Sequence, residues 1–357
     1  MKPKLKVAVI FNEPNPELYR KPPKTRKKQQ NFVPYFEVDK TTPLEDYKYI
    51  QEKLVEEGFD CYTFNLFDDI NILINDVKKN QPDVIFNFVE LYKDDPKLEM
   101  NVVGLFELMG IPYTGSPPLA LANCQNKVMA KKLLNISRIK TPPYFLAADL
   151  PERIKHDLKY PLIVKPAFED ASVGIENESI VFNKNELLMR MELVMQKFTQ
   201  PVLIEEFIEG RELNIAVFQD EGTRALPISE IDFTEMPDHL QNIVSYQAKW
   251  DPQHESYHKT IPICPAQLPI NIERKAKELA FKSFKVMGCR DYARIDMRLA
   301  KDNKLYVLEV NPNPDITDGA GFMRSAEKDG MTYSQALKRI VKYALRRGSD
   351  RKSNLIQ

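Results

Sequence analysis

Two stretches late in the chain, 291–299 and 304–310, read as a pair of neighbouring β-strands, the first alternating apolar and polar residues from Ala293 to Leu299, the second running into Glu309-Val310-Asn311 after an apolar run. Side chains two apart on a strand project to the same side. Arg294 with Asp296, and Glu309 with Asn311, therefore point into one cleft, while Ile295, Leu308 and Val310 are expected to face the core. Two carboxylates, an amide oxygen and a guanidinium converge in this arrangement. Hard oxygen donors of this kind suit Mg2+ (or Mn2+), which takes few protein carboxylates and completes its shell with water and nucleotide phosphate. A salt-bridge ladder across a hairpin would show the same alternation, so the reading depends on the rest of the chain.

The chain has 357 residues, enough for two or three packed domains. The apolar run 5–11, helical spacing over 45–57, the aromatic run 59–64 and the apolar run 83–89 read as strand, helix, strand and strand. This is an α/β unit with a mainly parallel sheet, ending near the turn-rich Tyr113-Thr114-Gly115-Ser116-Pro117-Pro118. Strands are expected at Tyr144, 162–165, 179–182 and 202–206 with a helix to Phe198, giving an α+β second unit. A third α+β unit has strands near 212–218 and 225–231, a long irregular stretch over 234–269, a helix to Met287, the strand pair, and an amphipathic helix from Tyr333. The expected domains are 1–118, 119–206 and 207–347, with a tail at 348–357.

Lys165 ends the apolar strand 162–164 and precedes a polar loop, 167–174. A lysine delivered from a strand end beside a closing loop can pair with nucleotide phosphates. The acidic segment 202–212 joins the second unit to the third; a hinge of this type can read adenine through a carboxylate and backbone groups, and a following glutamate can accept both ribose hydroxyls.

Together these segments resemble the ATP-grasp superfamily, and most closely its D-alanine–D-alanine ligase branch. The carrying pieces run from Gly104 to the last helix: 105–116, Asn126-Lys127, Ile163-Val164-Lys165-Pro166, Ala171-Ser172-Val173-Gly174, Ile204-Glu205-Glu206-Phe207, Ala248-Lys249-Trp250, 288–296, and Leu308-Glu309-Val310-Asn311-Pro312-Asn313-Pro314. The resemblance implies an ATP-grasp fold: a Rossmann-like N-terminal (pre-ATP-grasp) domain and two α+β subdomains that clamp ATP. It further implies that Lys127 and Lys165 hold phosphates, that Glu205, Phe207 and Ile208 meet adenine, and that Glu212 meets ribose. Asp296, Glu309 and Asn311 would be the metal ligands and Arg294 the group that stabilises the acyl phosphate and tetrahedral intermediate. Ser172 and Lys249 would act from covering loops. The implied activity is ATP-dependent, ADP-forming ligation of a carboxylate to an amine, with amino acids or short peptides as substrates and a homodimer built through the first domain.

Departures gather where D-alanine would be handled. The glycine-rich opening of those ligases is replaced by 10–17, in which Glu17 fits the spacing of a substrate-contacting glutamate and Glu13 is the nearer alternative. Around 87–90 their His-Gly pair is missing. Ala171 stands at a substrate-touching serine, Asp170 at a glycine, and Ala320 at the serine that grips the acceptor's carboxylate. Asp315 and Asp318 place two carboxylates on the acceptor lip, unless they only cap a helix start. The expectation is a ligase for other amino acids or peptides; the alternative is D-alanine–D-alanine ligation for cell-wall synthesis.

Two further classes have sequence support. His254-Glu255-Ser256-Tyr257-His258 matches the HExxH zinc-protease pattern, but Pro252 and Pro262 bracket it and no long apolar helix carries it. An inactive ATP-binding module would have no need of the Arg294 set. Lys plus Arg equals Asp plus Glu at 51 each, so no overall field favours nucleic acid or an anionic membrane. The basic run 20–30 reads as a solvated loop. Four cysteines without paired spacing, an apolar run at 7–11 too short for a signal peptide, and the lack of a membrane-length apolar stretch lead to the expectation of a cytoplasmic protein.

Overall fold

The computed structural model describes residues 3–16, 42–150, 155–169, 172–219 and 222–354; Glu17 and the basic run 20–30 lie outside them. The chain begins with β1 (Lys6–Phe11), α1 (Pro43–Glu56), β2 (Asp60–Asn65), α2 (Ile70–Asn80), β3 (Val84–Phe88) and α3 (Glu99–Leu108). The three strands are parallel in the order β2-β1-β3. β1 is buried on both faces, which is why it reads as an unbroken apolar run. Val7 and Val9 pack toward Ile50 and Leu54 of α1, and Ala8 and Ile10 toward Leu73 of α2 and Phe106 of α3. Thr42 and Glu45 exchange side-chain and backbone bonds at the start of α1, a capping box that fixes where this helix begins.

Next come α4 (Pro118–Gln125), α5 (Lys127–Ile136), β4 (Tyr144–Ala147), β5 (Leu162–Pro166), β6 (Ile180–Val181), α6 (Lys184–Phe198) and β7 (Val202–Glu206). Their antiparallel sheet, ordered β4-β7-β5-β6, packs one face on Leu187, Met191 and Val194 of α6. The remainder contains β8 (Gly210–Gln219), β9 (Thr223–Ala225), β10 (Ser229–Asp232), α7 (Tyr246–Trp250), α8 (Glu255–Lys259), β11 (Ile261–Ile263), α9 (Ile270–Met287), β12 (Tyr292–Ala300), β13 (Leu305–Asn311), α10 (Gly321–Lys328) and α11 (Tyr333–Asn354). Six of these strands form the third sheet, along the path β11-β10-β8-β12-β13 with β9 beside β8. Ile272, Ala276, Ala280, Phe284 and Met287 of α9, about one turn apart, cover its apolar face.

Three local expectations need correction. The strand over 225–231 is two strands, because Pro227 has no N–H to donate between β9 and β10. The stretch 234–269 contains α7, α8 and β11 rather than being wholly irregular. Leu308 does not join the core face: the β12–β13 register slips between Asp296 and Met297, so Val307 pairs with Met297 and takes the buried place. No helix among the described residues is long and apolar enough to cross a membrane.

Candidate active site

The polar face of the third sheet is assembled by register. Across β12 and β13, Arg294 lies opposite Asn311 and Asp296 opposite Glu309; across β12 and β8, Asp296 lies opposite Asn214 and Arg298 opposite Glu212. Seven polar side chains from three strands thus share one surface. Arg294 donates Nε and NH2 to the two oxygens of Asp296 at 2.8 Å each, a bidentate pair. Asn214 Nδ2 reaches Asp296 Oδ1 at 2.8 Å, and Asn311 Nδ2 reaches Asp296 Oδ2 at 3.0 Å and Glu309 Oε1 at 3.4 Å. Burial pushes Asp296 up, with Glu309 adding to the rise against the pull of Arg294. Burial also raises Glu309, but Lys127, Arg294 and Lys165 outweigh it and hold this carboxylate at about 2. Lys127 and Lys165 therefore share the electrostatic environment of the predicted metal ligands.

Lys165 stands at the end of β5 and donates to Glu205 Oε2 at 2.9 Å; the other oxygen, Oε1, lies 2.6 Å from Lys131 Nζ. Lys131 and Glu205 are both almost wholly buried. Burial weighs against each charged form, yet the two ammonium groups hold Glu205 at about 2. Sequence reasoning placed Glu205 at adenine and missed Lys131, although Lys131 follows Lys127 by one helical turn on α5.

β7 ends at Glu206 and β8 begins at Gly210, so Phe207 and Ile208, both half-buried, lie in the short crossing between the second and third sheets. Gly210 has φ +146, and a Cβ there would collide with the Leu299 carbonyl oxygen, so this approach of β8 to β12 needs glycine. Arg298, also missed, pairs with Glu212 at 2.8 Å and donates to the Gly210 and Asn242 carbonyls at 2.9 and 2.6 Å. The signal was present in the sequence, since Arg298 continues the 294, 296 alternation. Burial raises Glu212, with Arg298 opposing.

The loop after β5 and the segment leading to α7 are fastened together over this face. Ser172 Oγ donates to Val244 O at 2.9 Å, Tyr246 N to Ile175 O at 2.7 Å, and Gln241 N to Asn177 Oδ1 at 2.7 Å. Ile243 packs with Ile163 and Ile180 beneath them. Ser172 adopts φ +64, a backbone conformation uncommon for a residue with a side chain. Lys127 Nζ donates to Glu169 O at the start of the same loop. Lys249 is exposed at the end of α7, its ammonium 5.2 Å over the Trp250 ring, and no hydrogen bond or ion pair among the described residues ties it to the cluster. His254 is the N-cap of α8, its Nδ1 accepting from Ser256 N at 3.2 Å, and the buried His258 Nε2 lies 2.9 Å from Pro252 O. The two histidines are thus engaged locally rather than presented on one helix face.

Of the predicted substrate contacts, Glu13 N and O pair with the Asn65 side chain, and its carboxylate receives Tyr47 Oη at 3.4 Å. Asp315 and Asp318 are exposed on the lip that leads to α10. Asp315 Oδ1 accepts from Thr317 N and Oγ1 at 2.9 and 2.8 Å, and Asp318 Oδ2 accepts from Tyr49 Oη at 3.3 Å. A separate hollow of about 1340 Å³, walled by α3 and the end of α11, contains none of the predicted site residues.

The family model described as D-ala D-ala ligase C-terminus matches residues 137–342. The chain is 31% identical to a D-alanine–D-alanine ligase of Carboxydothermus hydrogenoformans over 82% of this chain and 90% of that protein. It is 30% identical to the uncharacterized protein y4sG of Sinorhizobium fredii over 74% of this chain and 75% of that protein. Its fold is similar to the crystal structure of a Bacillus anthracis D-alanine–D-alanine ligase complexed with ATP, with a TM-score of 0.70, 23% identity, and 97% and 99% of the two chains covered.

Proposed function

Because the chain belongs to the D-alanine–D-alanine ligase family, with its ATP-grasp fold, we propose that it joins a carboxylate to an amine through an acyl phosphate, and that its preferred acceptor is not free D-alanine. The observation that carries the chemistry is the single polar face on which Arg294, Asp296, Glu309 and Asn311 meet in register, with Lys127 and Lys165 in the field of Glu309. Two adjacent carboxylates, the buried Asp296 and the half-buried Glu309, the first raised by the second, fit a hard divalent cation beside the Asn311 amide. When bound, Mg2+ would offset charge on the phosphates during transfer.

In this reading Lys127 and Lys165 grip the nucleotide phosphates, the backbone of Phe207 and Ile208 faces adenine, and Glu212, held by Arg298, faces ribose. Glu205 serves by fixing Lys131 and Lys165 as much as by meeting the base. A carboxylate oxygen attacks the γ-phosphorus, the bond to the β-phosphate oxygen breaks, and ADP departs. The amine nitrogen then attacks the acyl carbon, and Arg294, oriented by Asp296, stabilises the oxyanion before phosphate leaves. The fastened loops keep water from the acyl phosphate. Lys249 would join the site only through movement of α7.

The substrate reading rests on the lip, where Ala320 offers no hydroxyl and Asp315 and Asp318 present exposed carboxylates. Relatives named D-alanine–D-alanine ligases favour the second reading, dipeptide formation from D-alanine itself. A screen of L- and D-amino-acid and dipeptide pairs for ADP release decides between them. Release is expected to be strongest with an acceptor larger than alanine or carrying a positive group; D-alanine paired with itself as the best substrate would establish the second reading.

A further inference from the structure

Arg324 lies in the first turn of α10, beside the lip, and no carboxylate pairs with it among the described residues. Its guanidinium is half-buried, NH1 donates to Gly319 O at 3.0 Å, and Nε is shut off from solvent without a hydrogen-bond partner among the described residues. NH2 lies 3.8 Å from the point where a Cβ on Gly321 would stand, and Arg294 NH1 lies 3.9 Å from the same point. Two guanidinium groups therefore border the small space that Gly321 leaves open. Burial lowers Arg324 from the ordinary arginine value, and the charge of Arg294 lowers it further. Partly desolvated like charges side by side are costly unless an anion joins them. Asp315 adds negative charge near Arg294, but its carboxylate is exposed and Oδ1 already serves Thr317.

The geometry also says which anion fits. Arg294 commits Nε and NH2 to Asp296, on the side where phosphoryl transfer would occur, and its remaining nitrogen, NH1, borders Gly321. A carboxylate bound between NH1 and Arg324 is therefore not the one that becomes an acyl phosphate; it keeps its charge throughout. In a reaction that joins two amino acids, that spectator group is the acceptor's own carboxylate. Ala320, the N-cap of α10, makes no side-chain cap bond, so its helix leaves first-turn N–H groups to supplement the pair. We propose that Arg324, together with NH1 of Arg294, receives the free carboxylate of the acceptor amino acid and so determines which acceptors are used. This rests on the ligase reading above.

The test compares wild type, Arg324→Met and Arg324→Lys with lysine and alanine as acceptors, in both chiral forms, against their primary carboxamides. For Arg324→Met the acceptor KM should rise roughly 10- to 100-fold for the free acids and change little for the amides, with ATP KM unmoved. Arg324→Lys, which keeps a charge, should recover part of the loss. Equal losses for acids and amides would make Arg324 a lip staple and overturn the proposal; a rise confined to ATP KM would assign the site to phosphate and overturn it too. A wild type that releases ADP with free acids, yet whose Arg324→Met variant discriminates identically, refutes only this inference. A wild type that releases no ADP with any amino acid or dipeptide refutes the ligase reading and this inference with it. Melting temperatures within a few degrees of wild type confirm that the variants are folded.

Discussion

Asp296 and Glu309 stand opposite one another on neighbouring strands, so a change at either that removes charge but keeps shape isolates their electrostatic contribution. Asp296→Asn and Glu309→Gln should each abolish ADP formation while leaving a wild-type circular dichroism spectrum, because each removes a hard anionic donor; normal ADP formation in both would defeat the metal assignment. Lys131 tests stability rather than chemistry. Lys131→Met leaves the buried Glu205 with Lys165 alone, a loss expected at about 3 kcal/mol, the low end for breaking a buried pair, and readable by urea denaturation. Folding lowers Glu205 to about 2, so the stability it contributes is present above the ordinary carboxylate range and is lost as pH falls toward 2. The acid-unfolding midpoint of Lys131→Met should accordingly move to higher pH. Arg294, Asp296, Glu309 and Asn311 are legible in the sequence because strand alternation alone decides which side chains share a face. Lys131 and Asn214 are not, because their roles depend on how α5 packs on the sheet and which residue of β8 falls opposite Asp296, both settled by tertiary packing.

Element order is legible for the same physical reason: β1 and β3 are buried on both faces and read as largely apolar runs, and α9 announces itself by apolar residues one turn apart. The segment 234–269 resists reading because its elements are short and bind mostly through backbone and loop contacts, so periodicity has no length in which to appear. Those contacts make it functionally informative. Asn177 holds the segment through Gln241 N at 2.7 Å and His239 O at 3.4 Å, while Ser172 binds Val244 O. Asn177→Ala removes two bonds of the fastening without touching the sheet's polar face. Stability should change by about 1 kcal/mol or less, but the acyl phosphate should be exposed to water more often, so ADP would form without matching amide product. A ratio of ADP to product that stays at the wild-type value would mean this contact does not govern closure.

At the scale of the molecule, the region beside the lip is built from parts far apart in sequence. α1 contributes Glu45, Asp46, Tyr49 and Glu52, the lip contributes Thr317 and Asp318, and α11 contributes Tyr333, around a hollow of about 500 Å³. Tyr49 and Tyr333 stack with centroids 5.8 Å apart, and Tyr49 Oη donates to Asp318. Burial raises the Tyr333 phenol far above its ordinary value, and Asp318, Asp315 and Asp46 add to the rise, a measure of how much negative charge gathers there. Among the described residues, Lys48 is the one cation lining this hollow. An acceptor whose carboxylate is held at Arg324 and whose far end reaches Asp318 would gain from a positive group at that end and lose from a negative one. Because the acidic groups are exposed, the gain should be modest and sensitive to salt. Asp318→Asn should therefore reduce the preference for lysine over a neutral acceptor of similar length by roughly fivefold at low ionic strength, and by less as salt is added, with ATP KM unchanged. Competition assays with paired acceptors read this ratio directly. Efficient D-alanyl-D-alanine synthesis by the wild type, together with an Asp318→Asn variant that behaves identically, would instead mean that the acidic wall faces solvent and that the lip accepts the small substrate of the named relatives.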